Sequence, residues 1–210
     1  MSTDVTRDFA FGLPKAELHL HLEGTLEPDL KLALARKNGV DIGQSTVEEV
    51  QATYQFNDLT SFLAVYYPAM DVLQDEDDFH DLAAAYFERA RANGVVRAEC
   101  FFDPQAHTSR GIAIETVIRG YHRAVVEARE AGLSADLILC FLRDMSAQSA
   151  LETLQAALPY KDMFIGVGLD SDERDNPPTK FAEVFALARE AGLHVTMHCD
   201  IDQVGSIDNI

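Results

Sequence analysis

The sequence predicts an α/β fold in which repeated strand–helix units build a parallel sheet. One junction recurs three times: a charged last helical turn, then a glycine, then a short apolar strand. The three junctions read RANGVVRAE, REAGLSADL and REAGLHVTM. Polar residues also gather where the predicted strands end, which is where α/β folds place their sites. A barrel and an open doubly wound sheet both fit this alternation.

Five strands and the helices between them can be placed along the chain. The first strand follows an irregular lead-in that covers residues 1–13. The predicted strands are Lys15–His21, Val95–Phe102, Ala135–Phe141, Phe164–Leu169 and Leu193–His198. Helical spacing of apolar residues covers about Thr25–Asn38, Asp58–Leu73, Glu76–Ala92, Ile114–Ala131, Ala147–Leu158 and Thr179–Ala191. Short helical pieces are expected between Asp41 and Gln55.

The stretch ELHLHLEG, residues 17–24, carries the clearest chemical signal. His19 and His21 are two residues apart, so in an extended strand both imidazoles lie on one face. Two neighbouring imidazoles form a chelate that suits zinc and its neighbours in the first transition row. Chance placement is the alternative, but a histidine pair in an apolar strand costs desolvation unless something uses it. The spacing therefore favours a metal site.

Composition excludes several classes of function. The 210 residues carry a formal net charge of -18, so nucleic acids and anionic membranes are unfavourable partners. Three widely spaced cysteines and a start without a long apolar stretch argue against a disulfide framework, and a cytoplasmic location is expected. No segment is apolar enough to span a membrane, and no glycine-rich phosphate loop follows a strand.

Several motifs together resemble one family. PKAELHLHLEGTLEP resembles the opening of the adenosine/adenine deaminases, which belong to the metal-dependent amidohydrolase superfamily. AECFFDPQAHTSRGI and GVGLDSDERDNPPTKF resemble the adenine deaminase branch, and VTMHCD falls where the family's third metal-binding histidine falls. The resemblance runs from Leu13 to about Asp202. It implies a TIM-type (β/α)8 barrel, of which this sequence covers about the first five units. It also implies one zinc ion held by His19, His21 and His198.

The resemblance also implies a reaction and a substrate. The protein would deaminate a 6-aminopurine, either adenine or an N6-substituted adenine, through attack of a zinc-bound hydroxide at C6. The only partner implied is this small purine. Glu23 is expected to contact the substrate, with a role as a helix-dipole partner as its alternative. Asp170 and Ser171, beyond the fourth strand, are expected to contact the base, although Asp170 could instead brace its loop.

The proton-transfer position departs from the family pattern. The family has a histidine, two small residues and a glutamate after strand five. This chain has His198, Cys199, Asp200, Ile201 and Asp202. Ile201 cannot move a proton, so we expect Asp202 to replace the glutamate, with Asp200 as the alternative. The alternative interpretation for both aspartates is a solvated loop or a helix cap near Ser206.

The family continues through three more strands, which carry a further histidine and a metal-binding aspartate. Because five units cannot close a barrel, we expect residues 1–210 to be a single, C-terminally incomplete domain that is inactive alone. Two other readings remain open. One is a related metal-dependent hydrolase that acts on another aminated ring. The other is a barrel that binds metal without catalysis.

Two further groups of residues carry weaker signals. His107 follows the second strand and is expected to be a surface histidine. Phe56, Phe62, Tyr66 and Tyr67 form an aromatic stripe that reads as helix packing, part of which could line the substrate pocket.

Overall fold

Five parallel strands form one sheet in the computed structural model, which describes residues 2–198. The strands are β1 Lys15–His21, β2 Val95–Phe102, β3 Ser134–Leu142, β4 Gly166–Asp170 and β5 His194–Val195. They pair in sequence order, β1-β2-β3-β4-β5, and every pair is parallel. A doubly wound sheet would reverse its strand order at a switch point, whereas a (β/α) barrel keeps it. The observed order is that of a barrel.

Helices occupy the connections between the strands. The described α-helices are α1 Ser2–Gly12, α2 Pro28–Asn38, α3 Val47–Ala52, α4 Leu59–Ala69, α5 Glu76–Ala92, α6 Pro104–Thr108, α7 Ile114–Glu130, α8 Ala147–Ala157 and α9 Ala182–Glu190. Short 3-10 helices cover Leu22–Thr25, Met70–Val72, Leu158–Met163 and Pro178–Phe181. In residues 2–198, no helix combines the length and the apolar character that crossing a membrane requires.

The three helix–glycine–strand junctions form as predicted. Gly94, Gly132 and Gly192 have φ of 78°, 90° and 84°, the left-handed conformation that ends a helix before the chain turns into a strand. The fifth strand is shorter than predicted. Its pairing nevertheless continues, because Thr196 N donates to Val167 O at 3.0 Å and His198 N donates to Leu169 O at 2.8 Å.

Two local predictions near the N-terminus are wrong. The lead-in contains helix α1 rather than an irregular segment. Near the carboxyl end of this helix, Lys15 Nζ donates to Phe11 O and Leu13 O. A cation at that end satisfies free carbonyls and complements the helix dipole. The second helix begins at Pro28, not Thr25, because Thr25 Oγ1 donates to Leu22 O at 2.7 Å and ends the preceding 3-10 turn.

The core lies between the sheet and the helices, and α5 and α7 approach each other closely within it. Phe79, Leu82 and Tyr121 are among its fully buried side chains. The close approach is possible because Gly120 has no side chain. A Cβ at this position would lie 2.6 Å from Glu76 O and 2.6 Å from Phe79 Cβ.

Replacing Gly120 by alanine is expected to lower the free energy of unfolding by about 1–3 kcal/mol, the usual range for overpacking a core. Alanine has a better helix propensity than glycine by up to about 1 kcal/mol. A net loss of stability must therefore come from the steric clash. Chemical denaturation measures the change. Gly12→Ala is the matched control, since nothing lies within 4 Å of its added Cβ. Equal stability of the two variants would contradict the close approach.

Candidate active site

Three histidines from two separated strands meet at one point. His19 and His21 lie at the end of β1, and His198 follows β5 at the other edge of the described sheet. His198 Nε2 nevertheless lies 2.8 Å from His19 Nε2 and 2.9 Å from His21 Nε2. This convergence requires a sheet that curls back on itself, as the strands of a barrel do.

A bulge in β1 aims the histidine pair. Glu17 pairs with Ala98 and Leu20 pairs with Cys100, so β1 has one extra residue over this stretch. The His19 and His21 ring centroids lie 5.6 Å apart, and both rings pack against Phe101. The predicted pairing of these imidazoles on one face is therefore present in the structure.

The second nitrogen of His21 faces two buried carboxylates. His21 Nδ1 lies 3.2 Å from Asp170 Oδ2 and 3.8 Å from Asp103 Oδ1. A carboxylate behind an imidazole fixes the ring and its tautomer, and it leaves Nε2 free to ligate. Within residues 2–198, Asp103 Oδ1 and Asp170 Oδ1 are buried without a hydrogen-bond partner. Asp170 lies on the pocket wall, where its side chain also contacts His21.

Electrostatics keep two of the three imidazoles neutral. Burial opposes a charge on His21, but hydrogen bonds and charges from Asp103 and Asp170 outweigh it and raise its pKa to about 10. Burial, then the charges of His21, His19 and Arg143, lowers the pKa of His198 to about 4. Burial and His21 also lower the pKa of His19. Neutral imidazole is the form that binds a metal ion, so His19 and His198 are ready to ligate, whereas an ion at His21 would displace the proton on Nε2 while Nδ1–H stays directed at Asp170.

The donor set fits a single zinc-sized ion. Nitrogens placed tetrahedrally about 2.0–2.1 Å from one ion are about 3.3 Å apart, slightly more than the two Nε2 distances here. Small ring rotations would open the cluster to that spacing. His21, Asp103 and Asp170 form a second group with metal-ligating atoms, but it shares His21 and uses the carboxylates that orient it. His19, His21 and His198 are therefore the residues that would hold the ion.

A cavity of about 360 Å³, open to solvent, lies beside the three histidines. Its polar wall includes Asp103, Asp170, Ser171 and Glu173, and its aromatic wall includes Phe62, Tyr66 and Tyr67 from α4. Tyr67 OH donates to Ser171 Oγ at 2.9 Å, which joins the two walls. Part of the aromatic stripe therefore lines the pocket. Phe56 and Tyr66 also border a smaller adjoining cavity of about 110 Å³.

Glu23 lies at the centre of a buried network. Its Oε1 accepts hydrogen bonds from Asp103 N, His107 Nε2 and Tyr121 OH, each at 3.1 Å. Its Oε2 is buried with no hydrogen-bond partner in the described part of the chain. Glu23 borders the smaller cavity. One carboxylate oxygen is thus held by the protein and the other is available to a ligand.

The prediction that His107 is a surface histidine is wrong. Its side chain is 0% exposed, and Arg110 Nη2 donates to its Nδ1 at 3.0 Å. Because arginine only donates, Nδ1 must accept and Nε2 must carry the hydrogen that Glu23 receives. Asp103 and Pro104 start the short helix α6, and His107 is one of its buried residues. The sequence DPQAH directly after a strand is the signal that could have predicted this helix.

The predicted proton-transfer residues, Asp200 and Asp202, lie outside residues 2–198, as do Cys199 and Ile201. Their roles therefore stay predictions from the sequence.

Comparisons with known proteins identify a family for the chain. The adenosine deaminase family model matches residues 14–202. The chain is 56% identical over 187 residues to an adenine deaminase of Geotalea uraniireducens, covering 89% of this chain and 53% of that protein. It is 52% identical over 209 residues to a protein of Schizosaccharomyces pombe named an uncharacterised deaminase, covering 99% and 61%. The chain thus spans about half to three fifths of these relatives.

Two solved structures share the fold. The crystal structure of an adenine deaminase from Arthrobacter aurescens superposes with a TM-score of 0.88 at 50% identity, covering 90% of this chain and 58% of that one. An amidohydrolase of Burkholderia ambifaria with bound Zn gives a TM-score of 0.79 at 30% identity, covering 94% and 55%. These matches confirm the predicted TIM-type α/β class, of which the structure describes five parallel strands and the helices between them. The chain belongs to the adenosine deaminase family.

Proposed function

We propose that the full-length protein is a zinc-dependent deaminase that replaces the 6-amino group of a purine base, adenine or an N6-substituted adenine, and releases ammonia or an amine. The observation that carries this proposal is the convergence of three imidazole Nε2 atoms beside a ligand-sized cavity. Relatives named adenine deaminase, such as that of Geotalea uraniireducens at 56% identity, support the choice of base.

His19, His21 and His198 would hold the metal ion. A zinc ion there supplies a water molecule whose pKa is lowered to about 7, which makes it a nucleophile near neutral pH. Asp170 accepts from His21 Nδ1 and so fixes the orientation of the second ligand. The three imidazole nitrogens favour zinc over magnesium or calcium, which prefer oxygen ligands.

The cavity walls suit a planar heterocycle that carries both hydrogen-bond donors and acceptors. Phe62 and Tyr66 supply flat apolar contacts to such a ring. Glu23 Oε2 would accept an N–H of the base, and Tyr66 OH would donate to or accept from a ring nitrogen. Both atoms are buried without a partner among the described residues, so a ligand that pairs with them removes a desolvation cost. Ser171, beside Tyr67, would contact the opposite edge of the base.

The protons would be moved by Asp202, with Asp200 as the second candidate. These residues follow His198 by four and two positions, close enough along the chain for a carboxyl to reach the same cavity. A carboxyl there would carry one proton of the attacking water to the ring nitrogen and then the second proton, from the new hydroxyl on C6, to the leaving amine.

Product formation from a panel of purines tests the proposal. Full-length, zinc-loaded protein is expected to convert adenine and N6-methyladenine to hypoxanthine, and to leave adenosine largely unchanged. Chromatography detects hypoxanthine whichever amine leaves, and a coupled ammonia assay confirms the adenine reaction. Turnover of adenosine but not of either base would overturn the assignment to the adenine deaminase branch. Stoichiometric zinc with no turnover of any purine would favour a non-catalytic barrel or a hydrolase of another aminated ring.

A further inference from the structure

A buried arginine at the end of β3 contacts the third histidine from behind. Arg143 is 1% exposed, one of the largest fully buried side chains in the described residues. Its Nη1 donates to His198 O at 2.9 Å. On the other side, His198 N donates to Leu169 O at 2.8 Å. Both backbone groups of His198 are therefore fixed, which leaves its imidazole facing the other two histidines.

The same guanidinium holds the loop that follows β4. Arg143 Nε and Nη2 both donate to Asn176 O, at 2.9 and 2.7 Å. The buried Glu173 carboxylate lies 3.6 Å from Nη1 and balances the charge. Lysine could not replace this contact pattern, because a guanidinium presents a planar fork of donors whereas an ammonium is a point charge.

The backbone of Arg143 adds a second set of ties to this loop. Arg143 N donates to Asp170 O at 3.0 Å. Arg143 O accepts from Lys180 Nζ at 2.9 Å, and Lys180 Nζ also donates to Asn176 Oδ1 at 2.8 Å. One residue thus joins the end of β3, both ends of the loop at 171–176 and the chain after β5.

The loop at 171–176 has an unfavourable backbone conformation that its hydrogen bonds must hold in place. Ser171 and Asp175 have φ of 70° and 61°, the left-handed region that residues with a Cβ rarely adopt. Asp175 is next to Asn176, whose carbonyl receives two of the Arg143 donors. The loop carries Ser171 and Glu173 on the wall of the larger cavity. Its conformation therefore shapes the pocket.

We propose that Arg143 is a positioning residue that sets the third candidate metal ligand and the pocket loop together. Metal affinity and substrate affinity would then both depend on one buried side chain that contacts neither the ion nor the base. The substrate half of this proposal rests on the proposed deaminase function, and the metal half does not.

Arg143→Lys and Arg143→Gln in the full-length protein test this coupling. Competition with a chromophoric chelator is expected to show zinc affinity lowered by about tenfold to a hundredfold, the usual effect of losing a partner that orients a metal ligand. The KM for adenine is expected to rise in the same variants. Arg143→Lys keeps the charge, so it serves if Arg143→Gln fails to fold. Arg119→Gln, an exposed arginine on α7 paired with Glu115, is the matched control and is expected to change neither quantity.

Thermal unfolding separates positioning from general stability. A lower Tm in Arg143→Lys with unchanged zinc affinity and unchanged KM would overturn the proposal, because a purely structural role moves only the Tm. If the unsubstituted protein turns over no purine, the deaminase proposal fails. The zinc titration of the Arg143 variants then still decides the metal half.

Discussion

Replacing His198 by alanine is expected to lower the zinc affinity of the full-length protein by on the order of a hundredfold to a thousandfold. The site loses one of three converging imidazoles, and His19 and His21 alone leave the ion with a two-nitrogen chelate. Chelator competition measures the affinity, and metal analysis after dialysis measures the zinc retained. Adenine turnover is expected to fall with zinc content.

His194→Ala is the matched control for this experiment, since His194 is exposed at the start of β5, four residues before His198. It is expected to leave zinc affinity and turnover unchanged. A His198→Ala protein that still binds one zinc ion with the original affinity would show that the three imidazoles do not form the metal site. Restoring turnover by added zinc would instead show that His198 acts through affinity alone.

Replacing Asp202 by asparagine is expected to lower kcat for adenine by more than about a hundredfold, the lower range for removing a general acid–base group. Asparagine keeps the size and polarity of the side chain but cannot carry the proton. Zinc content and KM are expected to change little, because the residue acts on the proton and not on the ligand. Steady-state kinetics on the zinc-loaded variant measure the effect.

Asp200→Asn is the matched comparison, two positions closer to His198. Loss of kcat in Asp202→Asn alone supports Asp202 as the proton-transfer group, and loss in Asp200→Asn alone moves the role to Asp200. Wild-type kcat in both single variants would discard the idea that either aspartate replaces the family glutamate.

Glu23 links the smaller cavity to the core. One oxygen receives three hydrogen bonds from Asp103, His107 and Tyr121, so the carboxylate cannot rotate without breaking them. The other oxygen is then held at the smaller cavity before any ligand binds. A preorganised acceptor of this kind costs less ordering on binding than a mobile surface carboxylate would.

Local sequence patterns predicted much of the fold correctly. The glycines at residues 94, 132 and 192 end their helices in the left-handed conformation, because only local backbone geometry is needed to produce that signal. The strand–helix alternation likewise predicted five parallel strands, although β5 is shorter than expected. Local patterns failed where a tertiary contact was required. The buried His107 pairs with Glu23, which is far away in the chain, and with Arg110, which is near but belongs to no recognisable motif.

The sequence by itself determined that His19 and His21 share one face, since a two-residue spacing in a strand allows little else. The resemblance to a family added His198 as their partner, but no local pattern places it beside them. Only the curl of the sheet brings β5 to β1, so that His198 Nε2 lies within 2.9 Å of both partners. The tertiary structure also decided which groups contact these histidines from behind: Asp170 contacts His21, and Arg143 contacts His198. Those contacts join residues far apart in the chain, and packing alone selects them.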